Sequence, residues 1–150
     1  MTSTTIILGK PVNPNIAPSF LLAVLLVLVG PVLAVENTGD AQAAAVRWLA
    51  LIDAGQYSES WNRSASLFPA ALPNEQWDRA MQSIRSRLGA TRSRSVKTQQ
   101  YTKTLPGAPD GEYVVIQFQT DFANMSGATE TVTPMKDKDG AWKVSGYFIK

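Results

Sequence analysis

The chain of 150 residues contains no cysteine and no histidine. These absences exclude disulfides, thiolate nucleophiles, Ser-His and Cys-His couples, and any zinc or haem site built on Cys or His. Charge is also sparse, at 17 % of residues, and 14 basic against 12 acidic side chains leave a net +2 that compels no class of partner. No phosphate-binding glycine motif, calcium-loop pattern, internal repeat or low-complexity stretch occurs, so no cofactor and no metal is expected. What is present is a 45 % apolar fraction, the composition of a chain that folds. The length suits one ordinary domain.

The apolar residues are unevenly spread. From Phe20 to Val35 every residue is apolar, Gly or Pro, a run of 16. That is short of the roughly 20 residues a comfortable membrane span needs. Lys10 supplies a weakly positive leader, Gly30 and Pro31 break the run near its end, and Val32-Leu33-Ala34 suits a signal peptidase. Residues 1–34 therefore read as a cleaved export signal, with an uncleaved N-terminal anchor as the alternative and as the one expected contact with a membrane. Removing 34 of 150 residues leaves 116, enough for one core without disulfides.

Residues 35–39 (VENTG) form a polar entry segment to a single domain over 40–150. Ala45, Trp48, Leu49 and Ile52 make a helical stripe that Gly55 is placed to end, with Thr38 or Asp40 as its cap. Tyr57, Trp61, Ala65 and Phe68 predict a second helix, broken by Pro69. Trp77, Ala80, Met81, Ile84 and Leu88 predict a third, closed by Gly89. Beyond Gly89 the apolar period falls to 2. Strands are expected over 92–105, 112–123, 128–133 and 141–149, the third ending or bulging at Thr133 because Pro134 cannot donate to a ladder. Short loops imply an antiparallel meander. The expected fold is α+β, with three N-terminal helices packed on a four-stranded antiparallel sheet.

Trp48-Leu49, Asp53 to Tyr57, Ser60-Trp61, Trp77, Leu88-Gly89, Gly111-Glu112-Tyr113, Phe118-Gln119-Thr120, Glu130-Thr131-Val132 and Gly140 to Tyr147 carry a resemblance. Together they resemble a family of small exported bacterial proteins, the domain of unknown function numbered four thousand and nineteen. The resemblance implies an exported domain and transfers no catalytic residue. The order of elements also resembles the cone-shaped folds of the nuclear-transport-factor and cystatin kind, an expectation about fold only.

Two sets of residues stand out as candidate sites. Arg79, Arg85, Arg87, Arg92, Arg94, Lys97 and Lys103 lie in one stretch with no acid among them. Arg85, Arg87, Arg92, Arg94 and Lys97 would suit an anionic envelope component or an acidic protein, or else form a solvated helix face and a guarded sheet edge. Strand alternation puts Arg92 and Arg94 on one side and Lys97 on the other. Nucleic acid is not expected, because only Tyr101 interleaves these cations. The second set is acidic: a hairpin centred on Met125-Ser126 would set Asp121 opposite Glu130, where a cation such as Arg94 must lie between them or one acid must hold a proton. A register slip would separate the two.

The sequence thus favours a non-catalytic envelope domain that binds a partner or ligand. The competing reading is a small enzyme of the cone fold, with Asp121 or Glu130 as acid/base and Tyr147 as hydrogen-bond donor. Sheet-to-sheet homodimerisation through Gln117 and Gln119 is a third possibility.

Overall fold

The computed structural model describes residues 38–150. The expected export signal, residues 1–34, lies outside them. Helix α1 spans Gly39–Asp53 and buries Ala41, Ala45, Trp48, Leu49 and Ile52, the stripe its periodicity demands. It closes at Gly55, whose φ of 73° takes the left-handed conformation. The Gly55 and Gln56 amides donate to the Ile52 and Leu51 carbonyls at 3.1 and 2.9 Å, which satisfies two otherwise orphaned acceptors.

Four helices, not three, precede the sheet. The second apolar run is divided into α2 (Tyr57–Asn62) and α3 (Leu67–Ala71), and α4 follows over Asn74–Leu88. The division has a local cause. The Ser64 hydroxyl donates to the Trp61 carbonyl at 2.6 Å, and the Ala65 amide donates outward to Val144 of the sheet at 2.8 Å instead of continuing the helical ladder. Pro69 does not end a helix; it is the third residue of α3, where its missing N–H costs no intrahelical bond.

Strands β1 (Thr91–Thr102), β2 (Tyr113–Phe122), β3 (Met125–Lys136) and β4 (Trp142–Ile149) form one antiparallel sheet in sequence order. The sheet is open, with β1 and β4 at opposite edges and not paired to each other, so it is neither closed nor curled. This overturns the expected likeness to the cone-shaped folds. The space a cone would enclose is packed: α1 residues Ala45, Leu49 and Ile52 share one core with Val114, Ile116, Phe118, Val132 and Val144 of the sheet. Strand β3 runs through Pro134, whose lack of an N–H is absorbed by a register shift after Thr133. Opposite it, Ser145 is the extra residue of β4, and its hydroxyl donates to the Thr133 carbonyl at 2.8 Å.

Each helical tryptophan is anchored by its indole N–H. Trp48 donates to the Ser60 carbonyl and Trp61 to the Leu72 carbonyl, both at 2.7 Å, and Trp77 donates to the Ser60 hydroxyl at 3.0 Å. Trp48, Phe68, Trp77 and Tyr147 stack with centroids 4.9 to 6.2 Å apart, which locks α1, α3 and α4 against β4.

Candidate functional site

The sheet face beneath the helices carries a polar cluster inside the core. Thr120 of β2 and Glu130 of β3 point to that face, and both are fully buried. Glu130 Oε2 accepts from Arg94 Nε at 2.6 Å and from the Thr120 hydroxyl at 2.5 Å. Its Oε1 accepts from Arg94 Nη2 at 3.3 Å and from the Tyr147 hydroxyl. The four lone-pair positions of the carboxylate are thereby filled. On its other side Arg94 makes a bidentate pair with Asp53 at the end of α1, at 2.7 and 3.0 Å. Asp53 also accepts from Arg85 at 3.0 Å and from the Thr91 hydroxyl at 2.8 Å. Two carboxylates and two guanidiniums thus join α1, α4, β1 and β3, and their charges cancel.

Electrostatics follow from this packing. Burial alone would raise the Asp53 pKa, but hydrogen bonds from Arg94 and Thr91 and the charges of Arg94 and Arg85 outweigh it and hold the carboxyl below its usual range. Tyr147 is shifted the other way, raised by burial and then by the Glu130 charge and hydrogen bond. The phenol is fixed as a donor and is not available as a base. The Arg85 guanidinium also lies over the Phe122 ring, 4.8 Å from its centroid.

The candidate carboxylate pair is not formed, because the register separates the two acids. Glu130 lies opposite Phe118, and Asp121 lies opposite Ser93 of β1. The turn is Ala123-Asn124, with Phe122 paired to Met125, and Ser126-Gly127 make a bulge. Gly127, with φ of 72°, donates its amide to Asp121 Oδ1 at 2.7 Å, so Asp121 serves the hairpin on the face away from Glu130. Arg94 does lie beside Glu130, but its second acid is Asp53.

The basic stretch is divided as well. A bulge at the start of β1 breaks the alternation that would put Arg92 and Arg94 on one side. Thr91 and Arg94 turn inward together to Asp53, whereas Arg92 is exposed. Arg85 and Arg94 are spent in the buried network, and Arg87, Arg92 and Lys97 stay at the surface. Asp53 was not foreseen, although one signal was available. An acid in the last turn of a helix opposes the helix dipole and so implies a compensating cation.

A second feature is apolar. Between α4 and the end of β4 runs a groove of about 330 Å³, lined chiefly by Trp77, Ile84, Leu88, Met125, Tyr147 and Phe148. Ile84, Met125 and Phe148 are 41, 44 and 60 % exposed, three of the five large apolar side chains exposed among the described residues. Their gathering at one place is what distinguishes them from scattered surface apolars. Among the described residues no group of three or more acids gathers as a metal site, and no helix is long and apolar enough to cross a membrane.

Fold and site together define an α+β domain whose helices cover one face of an open meander, tied by a buried ionic network and bearing an apolar groove. Residues 44–147 match the model of the family described as protein of unknown function, DUF4019, and the chain belongs to that family. No curated protein matches it.

Proposed function

We propose that this domain is a non-catalytic binding module of the bacterial cell envelope, exported by its N-terminal segment, and that it takes apolar groups of a partner or ligand in the groove between α4 and β4. One observation carries the reading: exposed apolar side chains from α4, the start of β3 and β4 converge on a single groove. A cluster of this kind costs solubility, and its burial by a ligand recovers about 25 cal/mol per Å² of apolar surface. What favours binding over the acid/base alternative is that Glu130 is enclosed with every lone pair occupied and Asp121 braces a turn.

The test is binding of an environment-sensitive apolar dye to the native protein and to Ile84→Glu. Ile84 is exposed, so the substitution leaves the fold intact while placing a charge in the groove. Dye binding that disappears in the variant supports the reading; binding that persists unchanged overturns it. Export is tested separately by fractionating cells and determining the N-terminus of the envelope form. A protein found only in the cytoplasm with its first 34 residues intact would count against export.

A further inference from the structure

The two edges of the sheet are not alike. On β1, two register shifts and the exposed Arg92 and Lys97 obstruct any further strand. On β4, the first half is closed by the Ala65 amide on the Val144 carbonyl at 2.8 Å. The second half is open. Thr129 and Lys150 exchange both of their backbone hydrogen bonds, at 2.7 and 3.0 Å. In an antiparallel ladder the next pair, Glu130 with Ile149, must then be of the non-hydrogen-bonded kind, and so must Val132 with Tyr147. The N–H and C=O groups of Tyr147 and Ile149 therefore point away from β3, toward the side on which no strand lies. The same two residues line the apolar groove.

We propose that the occupant of the groove is an extended segment of a partner protein that adds to β4 as a fifth strand, a reading that rests on the groove being a binding site. Outward backbone groups at Tyr147 and Ile149 call for a ligand with a peptide backbone. A lipid chain or a helix would leave them without partners. Alternate side chains of the added strand enter the groove toward Trp77 and Ile84, which requires apolar residues at every second position. The Val144–Ala65 bond limits the pairing to a stretch of four or five residues of the partner. Charge sets one flank: Lys150 lines the end of the groove, and no acid lines it. The partner segment is therefore apolar at alternate positions and acidic at the end that meets Lys150.

The experiment selects peptides from a random displayed library against the protein in the form that cells produce. Enriched peptides are then measured by titration, with and without N-methylation of alternate backbone amides, while amide exchange is followed at Tyr147 and Ile149. Strand addition predicts alternating apolar sequences with an acidic residue at the Lys150 end, slowed exchange at both amides, and a loss of at least about tenfold on N-methylation, the effect of one backbone hydrogen bond. Ile149→Pro removes an outward N–H together with an apolar side chain of the groove, so its loss is read against Ile149→Ala, which keeps the N–H and should bind more tightly; should the proline variant misfold, the N-methylated peptide decides alone. Groove-dependent peptides that tolerate N-methylation and leave exchange unchanged overturn strand addition but leave the groove as a binding site. The same conclusion follows if no peptide is enriched while the apolar dye still binds and Ile84→Glu abolishes it. If neither peptide nor dye binds, both readings fall. Concentration-dependent protection of Tyr147 and Ile149 without any peptide makes the occupant a second copy of the chain and overturns the proposal.

Discussion

Arg94 Nε lies 2.6 Å from Glu130 Oε2, and the same guanidinium closes on Asp53 from its other edge at 2.7 Å. One side chain on an edge strand thus compensates a fully buried carboxylate of β3 and a carboxylate at the end of α1. Breaking a buried pair by removing one member costs about 3–5 kcal/mol, because the other charge is left without compensation. Arg94→Met should reach that range, since it leaves the buried Glu130 without a cation, whereas Asp53 keeps Arg85. Glu130→Gln should cost less, because Arg94 keeps Asp53. The double replacement Arg94→Met with Glu130→Leu should be milder than the sum of its parts. Urea denaturation of the set measures this, and strict additivity would mean that the pair is not coupled.

Tyr147 shares the Glu130 carboxylate. Tyr147→Phe removes a donor from a buried acceptor and should cost about 1–3 kcal/mol. Its pKa in the folded state is raised, whereas the unfolded phenol ionises near pH 10. Its contribution is therefore whole below about pH 10 and falls as pH rises above it, since the unfolded chain releases the proton first. Ultraviolet titration of the folded protein should show a phenol that fails to ionise as pH rises past about 10. In Tyr147→Phe that refractory fraction should vanish.

At acid pH the sign reverses. Asp53 is held below its usual range, and Asp137 is pushed down to about 2, first by the hydrogen bond from the Ser66 hydroxyl and then by backbone amides of Lys138 and Ser66. Carboxyls lowered in the folded state stabilise it fully above their unfolded pKa of about 4 and lose that effect as pH falls toward 2. Unfolding free energy measured from pH 5 to pH 2 should decline steadily. Ser66→Ala, which raises the Asp137 pKa, should flatten part of the decline; an unchanged slope would remove Asp137 from the account.

The elements were legible where a single period governed them. The stripes of α1 and α4 and the alternation of β2 come from side-chain spacing that the core enforces, and Gly55 and Gly89 end their helices as placed. The misreadings share a different origin. The helix break at Ser64, the bulge at Ser126-Gly127 and the bulge at the start of β1 each depend on a bond to a partner distant in the chain or across a strand. Periodicity does not contain such bonds. The buried network was half visible for the same reason: Glu130 and Arg94 could be brought together as neighbours in the sheet, but Asp53 arrives from a helix about 40 residues away.

The hairpin register has a direct test in Asp121. Facing acids would repel, and Asp121→Asn would then stabilise the protein. In the observed register Asp121 accepts from the Gly127 amide at 2.7 Å and from the Ser93 hydroxyl at 3.2 Å, so Asp121→Ala should lower stability by about 1 kcal/mol and Asp121→Asn should bring no gain. A raised melting temperature in Asp121→Asn would contradict the register.

Gly89 ends α4 and begins the turn into β1. Its φ of 76° and ψ of −165° belong to a region essentially confined to glycine, at a cost of about 1–3 kcal/mol for other residues. A methyl group there would also meet Ala123 Cβ at 2.9 Å, and that contact cannot be relieved by turning a side chain. Because the Asn124 amide donates to the Leu88 carbonyl at 2.9 Å and the Ala123 amide to the Ala90 carbonyl at 2.8 Å, the backbone around Gly89 is held on both sides and cannot easily withdraw. Gly55 has a similar φ of 73° but nothing within 4 Å of an added methyl. Gly89→Ala should therefore be the more damaging of the two, with Gly55→Ala limited to the backbone cost of about 1–2 kcal/mol. Thermal denaturation of the two variants side by side gives the order, and equal losses would show that close packing at Ala123 adds nothing to the conformational term.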